Sequence, residues 1–230
     1  AIIETKVLKL KGQEVSSVKT VILREARMTE PDVEPAEKAV IGWLLSLIYA
    51  SLRGDDLIHV PPDILELLAA ALVGVAWQTK VDRKKKGTRF EIIRASVSKN
   101  DWVPIWYSII KGALKEGETR DYLFECPQDD FKGFASGIPF DMHAAHKFVP
   151  IVLKNAGAPD AETKSRCVHR SKRTFINAGA HFGEGDKPLT LQGRWQGPTI
   201  GTYAIRLLEI PAKMIGRIVK GIQAGWRPPN

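Results

Sequence analysis

Near the C-terminal end, the stretches His169-Arg-Ser-Lys172, Gly193-Arg-Trp195 and Thr202-Tyr203 gather a histidine, cations, an indole N–H and a phenol. Far upstream stand Arg53, in Ser51-Leu-Arg-Gly-Asp-Asp56, and Lys80, in Trp77-Gln-Thr-Lys80. A lone tyrosine is a packing residue. A tyrosine accompanied by these groups has the makings of a nucleophile aimed at a phosphate. A phosphodiester repels nucleophiles, so an enzyme must supply positive hydrogen-bond donors to its two non-bridging oxygens. Arginine suits this because its planar fork reaches two oxygens at once. A phenolate can attack if nearby cations favour it, since the free phenol titrates near pH 10. An acid is also needed to protonate the departing alkoxide, and a lysine can serve.

In this order the residues resemble the catalytic domain of the tyrosine recombinase (phage-integrase-like) family, of the kind found in mobile elements. The resemblance runs over roughly residues 34–213. It implies that Arg53 is the family's first catalytic arginine, with Asp56 as the acidic residue three positions on. Lys80 matches the hairpin lysine and would protonate the 5′ oxygen. His169-Arg-Ser-Lys172 is similar to the His-x-x-Arg box. Leu191-Gln-Gly-Arg-Trp195 is similar to the turn before the nucleophile, and Tyr203 follows Trp195 by eight residues. Tyr203 would form a 3′-phosphotyrosyl intermediate. Arg53 and Lys172 would hold the phosphate, His169 would orient it or accept the phenol proton, and Trp195 would complete the pocket. The covalent bond conserves the energy, so the resemblance implies no cofactor, ATP or metal. It also implies double-stranded DNA as partner and a tetramer of this chain on paired sites.

Two departures matter. Lys172 stands where the family has its second arginine, and a lysine cannot make the bidentate fork. Either Lys172 suffices, or the adjacent Arg173 reaches in, or activity is reduced. In addition, only about thirty residues precede the match, where the family carries a helical DNA-clamping domain.

Each residue also has a plainer role. Arg53 could cap a helix or pair with Asp56. Lys80 could be solvated or touch the DNA backbone, as could Arg83, Lys84, Lys85 and Lys86 in the same basic run, and Arg170, Arg173 and Arg194. His169 and Trp195 could be structural. Tyr49, Tyr107 and Tyr122 read as core. His143 and His146, with Asp141, lack a third strong ligand for a metal.

The composition agrees with a polyanionic partner. The 230 residues carry 34 lysines and arginines against 26 acids, a net charge of +8. The 44% hydrophobic content is that of a globular chain large enough for a real core. Cys126 and Cys167 lack the close spacing of a zinc pair. They could form one disulfide, but the chain reads as intracellular and reduced, acting at DNA. No signal-peptide pattern opens the sequence, and the apolar run 39–50 is too short to span a bilayer.

These groups need a frame, and the expected fold is mainly α with a small antiparallel β-sheet. Residues 1–34 read as a lead-in segment or linker, 35–213 as the catalytic domain, and 214–230 as a C-terminal helix and tail that could exchange between protomers or pack at home. Pro35 signals a helix start, and the broad apolar face through about Leu52 marks that helix as central. Ile64–Ala71 reads as helical. Val73, Val75 and Trp77 alternate with smaller residues as a strand, and Thr88–Val97 returns as its hairpin partner. Helices are expected over Trp102–Leu114, Phe140–Ala156 and Ser171–Gly179, around Tyr203, and at Ile215–Ile222, with a Gly/Pro-interrupted loop over Phe131–Pro139. The runner-up activities are type IB topoisomerase-like relaxation and recombinase-derived DNA binding without cleavage. A merely basic structural protein is the third reading.

Overall fold

The computed structural model describes residues 13–77, 87–114, 117–158, 168, 171–193 and 209–226. The centre is α2 (Pro35–Tyr49), after α1 (Gln13–Thr29). Proline at the first turn is tolerated because its missing N–H would be unpaired there anyway. From Ala36 to Tyr49 every residue except Lys38 is buried, so the helix is enclosed on all sides. Its neighbours are α1, α4 (Trp102–Gly112) and α5 (Met142–Asn155). The closest approach is at Gly42, where a Cβ would stand 2.0 Å from the Trp106 ring. Only glycine admits that indole, whose Nε1 donates to Ala39 O at 3.0 Å.

The stretch expected as a lead-in segment carries α1. Thr20, Val21, Arg24, Glu25 and Met28 form its buried face. Glu25 accepts from the main-chain N–H of Ser98 (2.6 Å) and Val97 (3.2 Å), and from the Tyr49 hydroxyl. Burial pushes its carboxyl up to about 6, while these bonds pull the other way. Burial, with Glu25 alongside, raises the Tyr49 phenol well above its ordinary value.

After α2 come α3 (Gly54–Ile58), a 3₁₀ turn (Pro62–Ile64) and a three-stranded antiparallel sheet, β1 (Glu66–Leu67), β2 (Ala71–Ala76) and β3 (Thr88–Ile93). The helix expected over 64–71 is therefore a turn and an edge strand, with Glu66 opposite Val73 and Leu67 opposite Leu72. The β2–β3 pairing runs from Ala71 opposite Ile93 to Ala76 opposite Thr88, as the alternation predicts. Nor is the loop expected over 131–139 irregular throughout. β5 (Phe134–Pro139) pairs with β4 (Glu125–Pro127), and the ladder shifts register between Glu125 and Pro127. Phe124 stacks on Phe140 at 4.5 Å, and Phe140 meets Trp43 edge-on at 5.2 Å. This second sheet is thereby keyed into α2.

The chain closes with α6 (Thr174–His181), α7 (Asp186–Gly193) and α8 (Glu209–Gln223). Met214, Ile215, Ile218, Val219 and Ile222 of α8 are buried, and the helix packs on α6, α7 and β3 of its own chain. Trp226 meets Phe182 edge-on at 4.9 Å, and Arg217 grips Glu184 through two bonds of 2.7 and 2.6 Å. Among the described residues no helix is long and apolar enough to cross a membrane. The architecture is α+β, helices around a central helix with small antiparallel sheets at the side.

Candidate active site

Arg53 sits where α2 has ended and α3 begins. The break follows Ala50, and Ser51 adopts a left-handed conformation with φ +49. Asp56 accepts from the Arg53 main-chain N–H at 3.4 Å, and Arg53 O accepts from Leu57 N. The expected tie between Arg53 and Asp56 thus runs through the backbone. The guanidinium takes no part in that bond: its Nη1 is buried and has no hydrogen-bond partner. A buried cationic donor without an acceptor is costly in a resting protein, and an anion is the group that would satisfy it.

Two other motif-bearing regions come up against this turn. A Cβ on Gly54 would stand 3.0 Å from Val168 Cγ1, so the residue after Arg53 touches the residue before His169. Glycine at 54 permits that approach, with Trp43 and Met142 closing the other sides. From α7, the buried Gln192 donates Nε2 to Tyr49 O (2.9 Å) and Ser51 Oγ (2.8 Å). The described flanks of the first, third and fourth motifs therefore share one neighbourhood. Beyond Val168, Ser171 is buried, Lys172 half-buried and Arg173 exposed. Arg173 precedes α6, and its carbonyl accepts from Asn177 N at 2.9 Å.

At the hairpin, Trp77 is 44% exposed. Gly87, at φ +75, returns so close that a Cβ would meet Val75 Cγ1 at 2.5 Å and Trp77 Cε3 at 2.9 Å. Lys80, Arg83, Lys84, Lys85, Lys86, His169, Arg170, Arg194, Trp195 and Tyr203 lie outside the described residues.

Elsewhere, Tyr49 is buried, whereas Tyr107 and Tyr122 are half-buried. His143 and His146 are exposed, and Asp141 is already engaged, capping α5 by accepting from Ala144 N at 2.7 Å. No three potential metal ligands cluster among the described residues. Sequence reasoning missed Ser51 and Gln192. A serine before an arginine and a glutamine inside a motif carry no signal until the fold joins them.

No protein-family model and no curated protein matches this sequence. Among solved structures, a Flpe–Holliday junction complex matches over 94% of this chain, at 13% identity and a TM-score of 0.51. The match covers 54% of that chain, so this one spans about half its length. At that identity the likeness is one of architecture: the chain has the fold of the protein in that complex.

Proposed function

We propose that this chain breaks and rejoins DNA strands as a tyrosine-recombinase catalytic domain. The observation that carries the reading is the Arg53 guanidinium, with a buried and unpartnered Nη1, in a turn touched from the flanks of the histidine and tryptophan motifs. The shared fold with a protein seen on a Holliday junction supports it, as does the net charge of +8. Arg53 and Lys172 hold the non-bridging oxygens, where charge grows in the transition state. Tyr203 attacks phosphorus and becomes joined to the 3′ phosphate, as the 5′ oxygen leaves with a proton from Lys80. His169 accepts the phenol proton or orients the phosphate, and Trp195 closes the pocket. Rejoining is the same path reversed, with a 5′ hydroxyl as attacker. Recombination takes place in a tetramer on paired DNA sites.

A non-cutting DNA-binding relative is the second reading, favoured by Lys172 at the position that calls for a fork. A nicked suicide duplex, built on sites from the gene's own neighbourhood, separates the two. The expected result is a covalent protein–DNA band on denaturing gels, formed in EDTA and absent for Tyr203→Phe. Binding to the same duplex without a band would refute cleavage.

A further inference from the structure

The turn carrying Arg53 is held from across the molecule. Tyr49 ends α2, and its carbonyl has lost the helix that would have bonded it. Ser51 is fully buried in a left-handed conformation that residues other than glycine adopt at an energetic cost. Such a conformation persists only where its surroundings over-determine it. Gln192 supplies that constraint, with one amide nitrogen donating to both Tyr49 O and Ser51 Oγ from 141 residues beyond the serine. Between this clamp and the Asp56 bond to Arg53 N lies only the buried Leu52, so the turn has little slack.

We propose that Gln192 is a positioning residue that fixes the Ser51 turn and thereby aims the Arg53 guanidinium. The inference rests on the phosphate-site reading of Arg53. It also ties the start of the Gly193–Tyr203 segment to that arginine through one side chain. Glutamate is no substitute for the amide: the Ser51 hydroxyl could turn to donate to a carboxylate, but the Tyr49 carbonyl only accepts and would lose its donor.

The test compares Gln192→Ala, Gln192→Glu, Gln192→Ala with Ser51→Gly, and Gln192→Ala with Arg53→Ala. Each is assayed where near-ultraviolet dichroism shows it folded. Single-turnover formation of the covalent complex should fall roughly 10- to 100-fold for both single variants, as for a misplaced catalytic group. Duplex affinity should change less than about threefold, since the lost interaction belongs to the transition state. Ser51→Gly should recover part of the loss, because glycine takes positive φ freely. In the Arg53→Ala background Gln192→Ala should add nothing, the signature of two residues acting through one interaction. A lower melting temperature with an unchanged rate, or additive losses, would overturn the proposal. Hydrogen exchange over residues 52–57 reads the clamp without cleavage. Gln192→Ala should accelerate it, and unchanged protection would overturn the proposal on its own. Faster exchange, in a wild type that forms no covalent complex, would retain the clamp and reject the cleavage reading.

Discussion

Glu25 should make the stability of this protein fall as the pH rises toward neutrality. Its carboxyl titrates near pH 6 when folded, against 4.5 for an unburied glutamate, chiefly because burial disfavours the charge. The folded chain therefore binds the proton more tightly than the unfolded chain. That contribution is fully present below about pH 4.5 and is lost as the pH rises through about 6. A carboxyl moved from 4.5 to about 6 corresponds to about 2 kcal/mol. Urea unfolding followed by tryptophan fluorescence, at fixed ionic strength from about pH 4.5 to about 7, gives the stability profile. The difference profile, wild type minus Glu25→Gln, removes the slope due to other carboxylates. It should decline by about 2 kcal/mol over that interval, whatever constant offset the amide introduces. Tyr49→Phe should push the decline to higher pH, because the phenol donates to the carboxylate and favours its charged form. Parallel wild-type and Glu25→Gln profiles would refute the reasoning, and so would a decline that Tyr49→Phe moves to lower pH.

Other perturbations have equally definite outcomes. Arg53→Lys keeps the charge but loses the fork, and covalent-complex formation should drop about 10²- to 10³-fold in a single-turnover assay, with duplex binding largely retained. Lys172→Ala should suppress the covalent band, whereas Arg173→Ala, at an exposed position, should weaken duplex binding in a salt-dependent way and leave the band. Gly42→Ala forces a Cβ into the Trp106 ring, and should lower stability by about 1–3 kcal/mol or more, measured as a fall in Tm of several degrees.

Long apolar helices were legible because their signals are local. Pro35 and the unbroken run to Tyr49 announced α2, and the stripe at Ile215, Ile218, Val219 and Ile222 announced α8. The β2–β3 pair was equally plain from alternation. α1 was obscured because Arg24 and Glu25 occupy its buried face, breaking the expected apolar stripe. β1 and β5 exist through their pairing with residues elsewhere, and Gly137 and Pro139 made β5 read as loop. α7, with Gly185 before it and Pro188 inside, has too few apolar residues to show a period. Arg53 was visible as a residue type at a helix end. Its unpartnered nitrogen was not, since burial of one atom depends on the whole fold. The same holds for Gln192, whose acceptors lie more than 140 residues away.

The bonds of Glu25 also bear on the order in which the molecule is made. Its main-chain donors, Val97 and Ser98, follow it by 72 and 73 residues. On the ribosome α1 emerges long before those amides exist, and its carboxylate stays charged in water meanwhile. Ordering such distant partners costs loop-closure entropy before any bond is gained. The buried bonds of this early helix are therefore completed only once the loop after β3 has formed. A ribosome pause before Val97 would leave Glu25 without its two main-chain donors, while α1 can already pack on α2.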